Sequence, residues 1–137
     1  MQKIKIKLPN KKFYIDHLKN FSQYSQEENW IRWYVKVAKL KGLRTLKILQ
    51  EYKSRDARLL DLGCGIGFTL SILAQAFPKS IGCEVDEEAL QATREMLKEV
   101  GVSIPLRIYD GKSLPFKNNE FDVITCIEVI EHVENPE

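Results

Sequence analysis

The sequence has no apolar run near the ~18 residues that a bilayer-spanning helix needs, because charge interrupts it every few positions. Its opening residues, Met1-Gln2-Lys3-Ile4-Lys5, lack the apolar segment of a secretion signal. Both absences predict a cytoplasmic protein without membrane contact. Cysteine is scarce: Cys64, Cys83 and Cys126 are odd in number and form no Cys-x-x-Cys pair. That argues against a disulfide framework or a structural zinc site and predicts three small buried thiols. Only two histidines occur, His17 and His132, and the first lies in the leader with no role to assign. There is no repeat, low-complexity stretch or arginine-rich run.

What is present is an ordinary globular balance over 137 residues, 44% hydrophobic and 29% charged, enough for one packed unit. The charge is divided unevenly. Residues 1–55 hold 14 Lys+Arg against 4 Asp+Glu, and residues 56–137 hold 7 against 15. A basic leader suits an anionic partner such as RNA, or simply the solvated face of helices.

Residues 1–10 alternate (Lys3, Ile4, Lys5, Ile6, Lys7, Leu8) and stop at Pro9, as a β-strand with one apolar face or a loose arm would. Residues 11–53 read as helical. Ser25 and Glu28 form a capping-box pattern; Trp30, Ile31, Tyr34, Val37 and Ala38 follow at helical spacing. The Trp30, Trp33 and Tyr34 group reads as core packing. Gly42 is expected to break or kink that helix. The division is therefore a basic, mainly helical extension over 1–55 and an α/β unit over 56–137. In the latter, strands over 58–62, 80–85, 104–109 and 121–127 alternate with helices over 68–77 and 87–100. Asp86 is placed to cap the second of these and Gly101 to stop it. Such alternation predicts parallel pairing.

The segment Asp61-Leu62-Gly63-Cys64-Gly65-Ile66-Gly67 joins the first strand to the following helix. Glycines there let the backbone turn sharply and approach a ligand. The pattern is G-x-G-x-G, with Phe68 where a dinucleotide fingerprint places its third glycine, which argues against a nicotinamide dehydrogenase. An acid at the strand end disfavours a pyrophosphate and suits a cationic ligand part, such as an ammonium or sulfonium.

This segment resembles motif I of class I S-adenosylmethionine-dependent methyltransferases, of the type 11-like family, and further motifs follow in order. Ile81-Gly82-Cys83-Glu84-Val85-Asp86 resembles the end of the family's second strand, where an acid at Glu84 holds the ribose hydroxyls. Ile108-Tyr109-Asp110-Gly111 resembles the third-strand motif, where Asp110 accepts from the adenine amino group. Phe121 to Ile127 resembles the fourth strand, ending beside the methionine part. The resemblance implies a Rossmann-like α/β fold with parallel strands 1–4, the C-terminal strands absent from the chain, and S-adenosylmethionine as cofactor. It implies cofactor contacts from Asp61, Gly63, Cys64, Gly65, Gly67, Glu84, Val85, Asp110, Gly111, Ile127 and Glu128. Asp122 is expected to be structural and to point away.

After the fourth strand, Glu128, Glu131 and His132 would share one side of a helix at i, i+3 and i+4. The E-x-x-E-H pattern resembles that of O-methyltransferases of ubiquinone synthesis and of small-RNA 2′-O-methyltransferases. It implies either a divalent metal held by Glu128, Glu131 and His132, or Glu131 and His132 lining the acceptor pocket with His132 as a base. The expected activity is methyl transfer to a small-molecule or RNA acceptor. The alternative is a truncated, non-catalytic cofactor-binding module, because the chain stops after the fourth strand and leaves its far edge bare. The oligomeric state is left open.

Overall fold

The computed structural model describes residues 4–20 and 26–136. Helix α1 (Lys11–Lys19) and helix α2 (Glu28–Tyr52) precede a β/α segment of β1 (Leu59–Leu62), α3 (Phe68–Ala76), β2 (Ser80–Glu84), α4 (Glu87–Val100), β3 (Leu106–Ile108) and β4 (Val123–Thr125). The strands form one parallel sheet in the order β3-β2-β1-β4. The order reverses between β1 and β4. In an open parallel sheet that switch point opens a crevice at the strands' carboxyl ends.

Local chemistry explains the elements. The Asp86 carboxylate accepts from the Glu88 N–H at 2.9 Å and caps α4, while Gly101 ends it in the left-handed region at φ 75°. Helix α3 is apolar around most of its circumference and is buried accordingly. In β1 the side chains of Leu59, Leu60 and Asp61 are all buried, as expected for an inner parallel strand. The third and fourth strands are shorter than their sequence patterns suggest.

Gly42 neither breaks nor kinks helix α2, which runs through it unbroken. A Cβ at Gly42 would lie 2.5 Å from Ile72 Cδ1 of α3, so the glycine serves close helix packing. Asn10, unmarked in the sequence reading, caps α1 by accepting from Phe13 N–H at 2.8 Å. Ser25 lies outside the described residues, and α2 opens at Glu28 with Glu27 in the cap position and no side-chain cap bond. The leader's alternation does produce one apolar face: Ile4, Ile6 and Leu8 pack against Leu59, Ile72 and Phe77. Its backbone joins no ladder. Instead Gln75 accepts from Lys7 N–H and donates to Lys7 C=O.

Two further expectations are corrected. Cys64 and Cys83 are buried, but Cys126 is exposed, because β4 is the edge strand. Trp30 and Tyr34 stack on each other and pack at the core margin, whereas Trp33 is 59% exposed. Among the described residues no helix is long and apolar enough to cross a membrane.

Candidate functional site

The glycine turn after β1 lies at the switch point, and its geometry is set from several sides. Gly63, Gly65 and Gly67 all have positive φ, at 72°, 56° and 89°. The N–H groups of Gly63 and Cys64 both donate to the Cys83 carbonyl. A Cβ at Gly63 would meet Val129 at 2.4 Å, and one at Gly67 would meet the Thr93 backbone at 3.0 Å, so the turn is pressed between the loop after β4 and helix α4. A Cβ at Gly65 would stand in open space.

Beside the turn is a pocket of about 140 Å³ lined by Asp61, the 63–69 segment, Ile127 and Glu128, with Tyr34, Ala38 and Lys41 of α2 on its other side. Asp61 is 3% exposed and accepts a 2.7 Å hydrogen bond from the Thr125 hydroxyl of β4. Burial pushes its pKa up to about 7; the Thr125 bond opposes the shift and the charge of Glu84 adds to it. A buried carboxylate whose partner is a hydroxyl is poised to receive a positive charge.

Outside the pocket the remaining candidates continue in one direction. Glu84 accepts from Gly65 N–H at 2.8 Å and from Val85 N–H at 2.7 Å, which fixes its carboxylate beside the turn. Its outer lone pairs suit a vicinal diol. Gly111 lies against Val85, where an added Cβ would be 3.6 Å from Val85 Cγ1. Asp110 accepts from the N–H groups of Lys112 and Ser113, which hold it below the usual carboxylate range. The structure thus brings Asp61, Gly63, Cys64, Gly65, Gly67, Ile127 and Glu128 to one pocket and sets Glu84, Val85, Asp110 and Gly111 along an open edge leading from it. Cys64 contributes backbone to the turn; its thiol is buried toward Thr93 and burial pushes its pKa up.

The carboxylate–histidine cluster does not form. Residues 130–132 make one 3-10 turn instead of an α-helix, and Glu128 precedes it in the left-handed region at φ 56°. The i, i+3, i+4 face is therefore lost. Glu128 instead pairs with Lys41 of α2 at 2.6 Å, and Glu131 and His132 stand exposed beyond the pocket. Among the described residues no group of three or more His, Cys, Asp or Glu is placed to hold a metal. Asp122, as expected, faces away: its carboxylate takes Arg58 N–H, Nε and Nη2 at the opposite end of β1.

The sequence reading missed Tyr34 and Lys41 as pocket residues, and Thr93, Thr125 and His17 as supports. Tyr34, Ala38 and Lys41 share a helix face at i, i+4 and i+7, but that spacing does not say what the face meets.

Residues 60–137 match the family model described as methyltransferase domain. The chain is 31% identical over 112 residues to the ubiquinone biosynthesis O-methyltransferase of Methylococcus capsulatus, covering 77% of this chain and 47% of that protein. It is 35% identical over 81 residues to the protein of the same name from Azoarcus sp., covering 58% and 35%. The chain thus spans about half or less of the length of these curated relatives. Among solved structures, magnesium protoporphyrin IX methyltransferase from Synechocystis with bound SAM superposes with a TM-score of 0.66 at 20% identity, covering 90% of this chain and 59% of that one. The YcgJ protein of Bacillus subtilis gives 0.60 at 24% identity, covering 73% and 41%. At these identities the likeness establishes the Rossmann-like fold of four parallel strands with flanking helices.

Proposed function

The chain belongs to this methyltransferase-domain family, and on that premise we propose that it is the cofactor-binding part of an S-adenosylmethionine-dependent O-methyltransferase acting on a small molecule. The observation that carries the reading is the pocket at the switch point, where a glycine turn with open space at Gly65 adjoins the buried carboxylate of Asp61. The residues fit the cofactor. Asp61 and the turn formed by Gly63, Cys64, Gly65 and Gly67 take the cationic methionine end, together with Ile127 and Glu128. Glu84, with the backbone of Val85, takes the ribose diol, and Asp110 with Gly111 takes the adenine. A pocket of about 140 Å³ is below the ~300–1,000 Å³ usual for ligand sites, which suits enclosure of one end and an open course for the rest.

When bound, S-adenosylmethionine supplies an electrophilic methyl on a sulfonium sulfur. The chain's contribution is to orient that group and to exclude water from it with Tyr34, Phe68 and Ile127. We assign Glu131 and His132, just beyond Glu128, to the acceptor side, with His132 taking the acceptor's hydroxyl proton. The relatives' names, ubiquinone biosynthesis O-methyltransferase, support a small hydroxyl acceptor over RNA.

The test is calorimetric titration of the chain with S-adenosylhomocysteine, with NAD as control. Binding of the first alone is expected. Glu84→Ala should weaken it at least ~10-fold, roughly 1.4 kcal/mol, while His132→Ala leaves it unchanged. Equal affinity in Glu84→Ala would remove the ribose assignment.

A further inference from the structure

His17 lies far from the turn in sequence and has no part in the motifs, yet it is 3% exposed and its Nε2 is 3.0 Å from the Ile66 carbonyl, in the middle of the turn. A carbonyl only accepts, so Nε2 carries the proton and donates. The imidazole stacks on Phe13 with centroids 5.4 Å apart and meets the edge of Phe68, the first residue of α3, at 6.4 Å. The neighbouring carbonyl, that of Gly65, is held at 2.7 Å by the Thr93 hydroxyl of α4. Two consecutive carbonyls of the turn are thus drawn away by side chains from two different helices, while the Gly65 N–H is committed to Glu84. Together these bonds fix the peptide planes of the turn's outer half. Burial pushes the pKa of the imidazole below its ordinary value, opposed in part by the Ile66 carbonyl and the charge of Glu95.

We propose that His17 is a positioning residue for cofactor binding: through its Nε2–H bond to Ile66 it ties helix α1 to the glycine turn and holds that turn in its binding geometry. Helix α1 thereby acts as a back support of the cofactor site. This rests on the reading of the turn as the S-adenosylmethionine site.

The test uses the whole chain with His17→Phe, which keeps the ring and removes the donor, and His17→Gln, whose amide donates from a position like Nε2. Amide hydrogen exchange over residues 64–68 and calorimetric affinity for S-adenosylhomocysteine are measured for each. In His17→Phe, exchange over the turn should quicken about tenfold or more and affinity should fall about tenfold, with both restored to within about threefold in His17→Gln. Unchanged exchange in a folded His17→Phe overturns the proposal. So does faster exchange at unchanged affinity, or a folded His17→Gln that binds as poorly as His17→Phe, which would leave ring packing as the only role. If His17→Phe does not fold, the wild-type imidazole tautomer read by nitrogen NMR decides: a proton on Nδ1 instead of Nε2 overturns the proposal. Should the wild type itself not bind S-adenosylhomocysteine, the cofactor reading falls, and the exchange comparison still judges whether His17 holds the turn.

Discussion

The run β1-α3-β2-α4 and the run from β3 to the 3-10 turn at 130–132 belong to one sheet but differ in how they are held. In the first, Leu59, Leu60, Leu70, Ile72, Leu73, Leu90 and Met96 are all but inaccessible to solvent. In the second, β3 and β4 are three residues each, Ile108 and Ile124 face solvent, and no helix lies between the two strands. The difference teaches where the site gets its rigidity. The turn and Glu84 stand on the first run, with α1 and α4 braced against the turn and α2 across the pocket from it. The open edge at Asp110 and the residues around Glu128 stand on the second, joined to the first by the short β2–β3 and β1–β4 ladders and by side-chain bonds that include Thr125 to Asp61 and Arg58 to Asp122, and to α2 by Lys41 with Glu128.

Cutting into the first run should cost most. Leu70→Ala removes a fully buried side chain of α3 and should lower the stability measured by urea unfolding by about 3 kcal/mol. Ile124→Ala, at a position 57% exposed, should stay within about 0.5 kcal/mol. Comparable losses at the two positions would dissolve the distinction.

The tie between the runs is tested at Thr125. Asp61 has a pKa of about 7 in the fold against an unperturbed 3.8. The folded state therefore holds this proton more tightly, and the Asp61 contribution to stability falls as pH rises from about 4 to 7. Thr125→Val removes the hydroxyl that opposes the shift. It should cost about 1–2 kcal/mol at pH 8 and less at pH 5, by denaturation at the two values. A pH-independent loss would show that Asp61 does not titrate in this way.

A modest effect is expected where α2 packs on α3. Gly42→Ala puts a Cβ against Ile72 Cδ1. Overpacking of ~1–3 kcal/mol is offset by the ~1 kcal/mol that alanine gains over glycine in a helix, leaving a net loss of about 1 kcal/mol. A gain in melting temperature would mean that α2 and α3 separate easily.

Much of the first run was legible in the sequence. Asp86 and Gly101 mark the ends of α4 by side-chain chemistry and backbone freedom, both local properties. Asp61 with its three glycines announces a turn that must approach a ligand, and Phe68 where a dinucleotide fingerprint has its third glycine distinguishes the kind of turn. The second run was read less well. The pattern from Glu128 to His132 fits a helix face on spacing alone, but the left-handed backbone at Glu128 and the pull of Lys41 form a 3-10 turn instead. Gly42 misled for a related reason: glycine weakens an isolated helix, yet here its missing Cβ admits a neighbour.

The sequence by itself determined the order of elements, the parallel sheet and the place of the glycine turn, because periodicity, caps and positive-φ residues act over a few positions. Tertiary structure alone decided what stands behind and across from that turn. His17, Thr93 and Thr125, with Tyr34 and Lys41 of one helix, come from four separate elements of the chain. They meet the turn and Asp61 only because apolar burial folds α1, α2 and α4 around the turn and β4 pairs beside β1, and such long-range contacts leave no local pattern in the residues that make them.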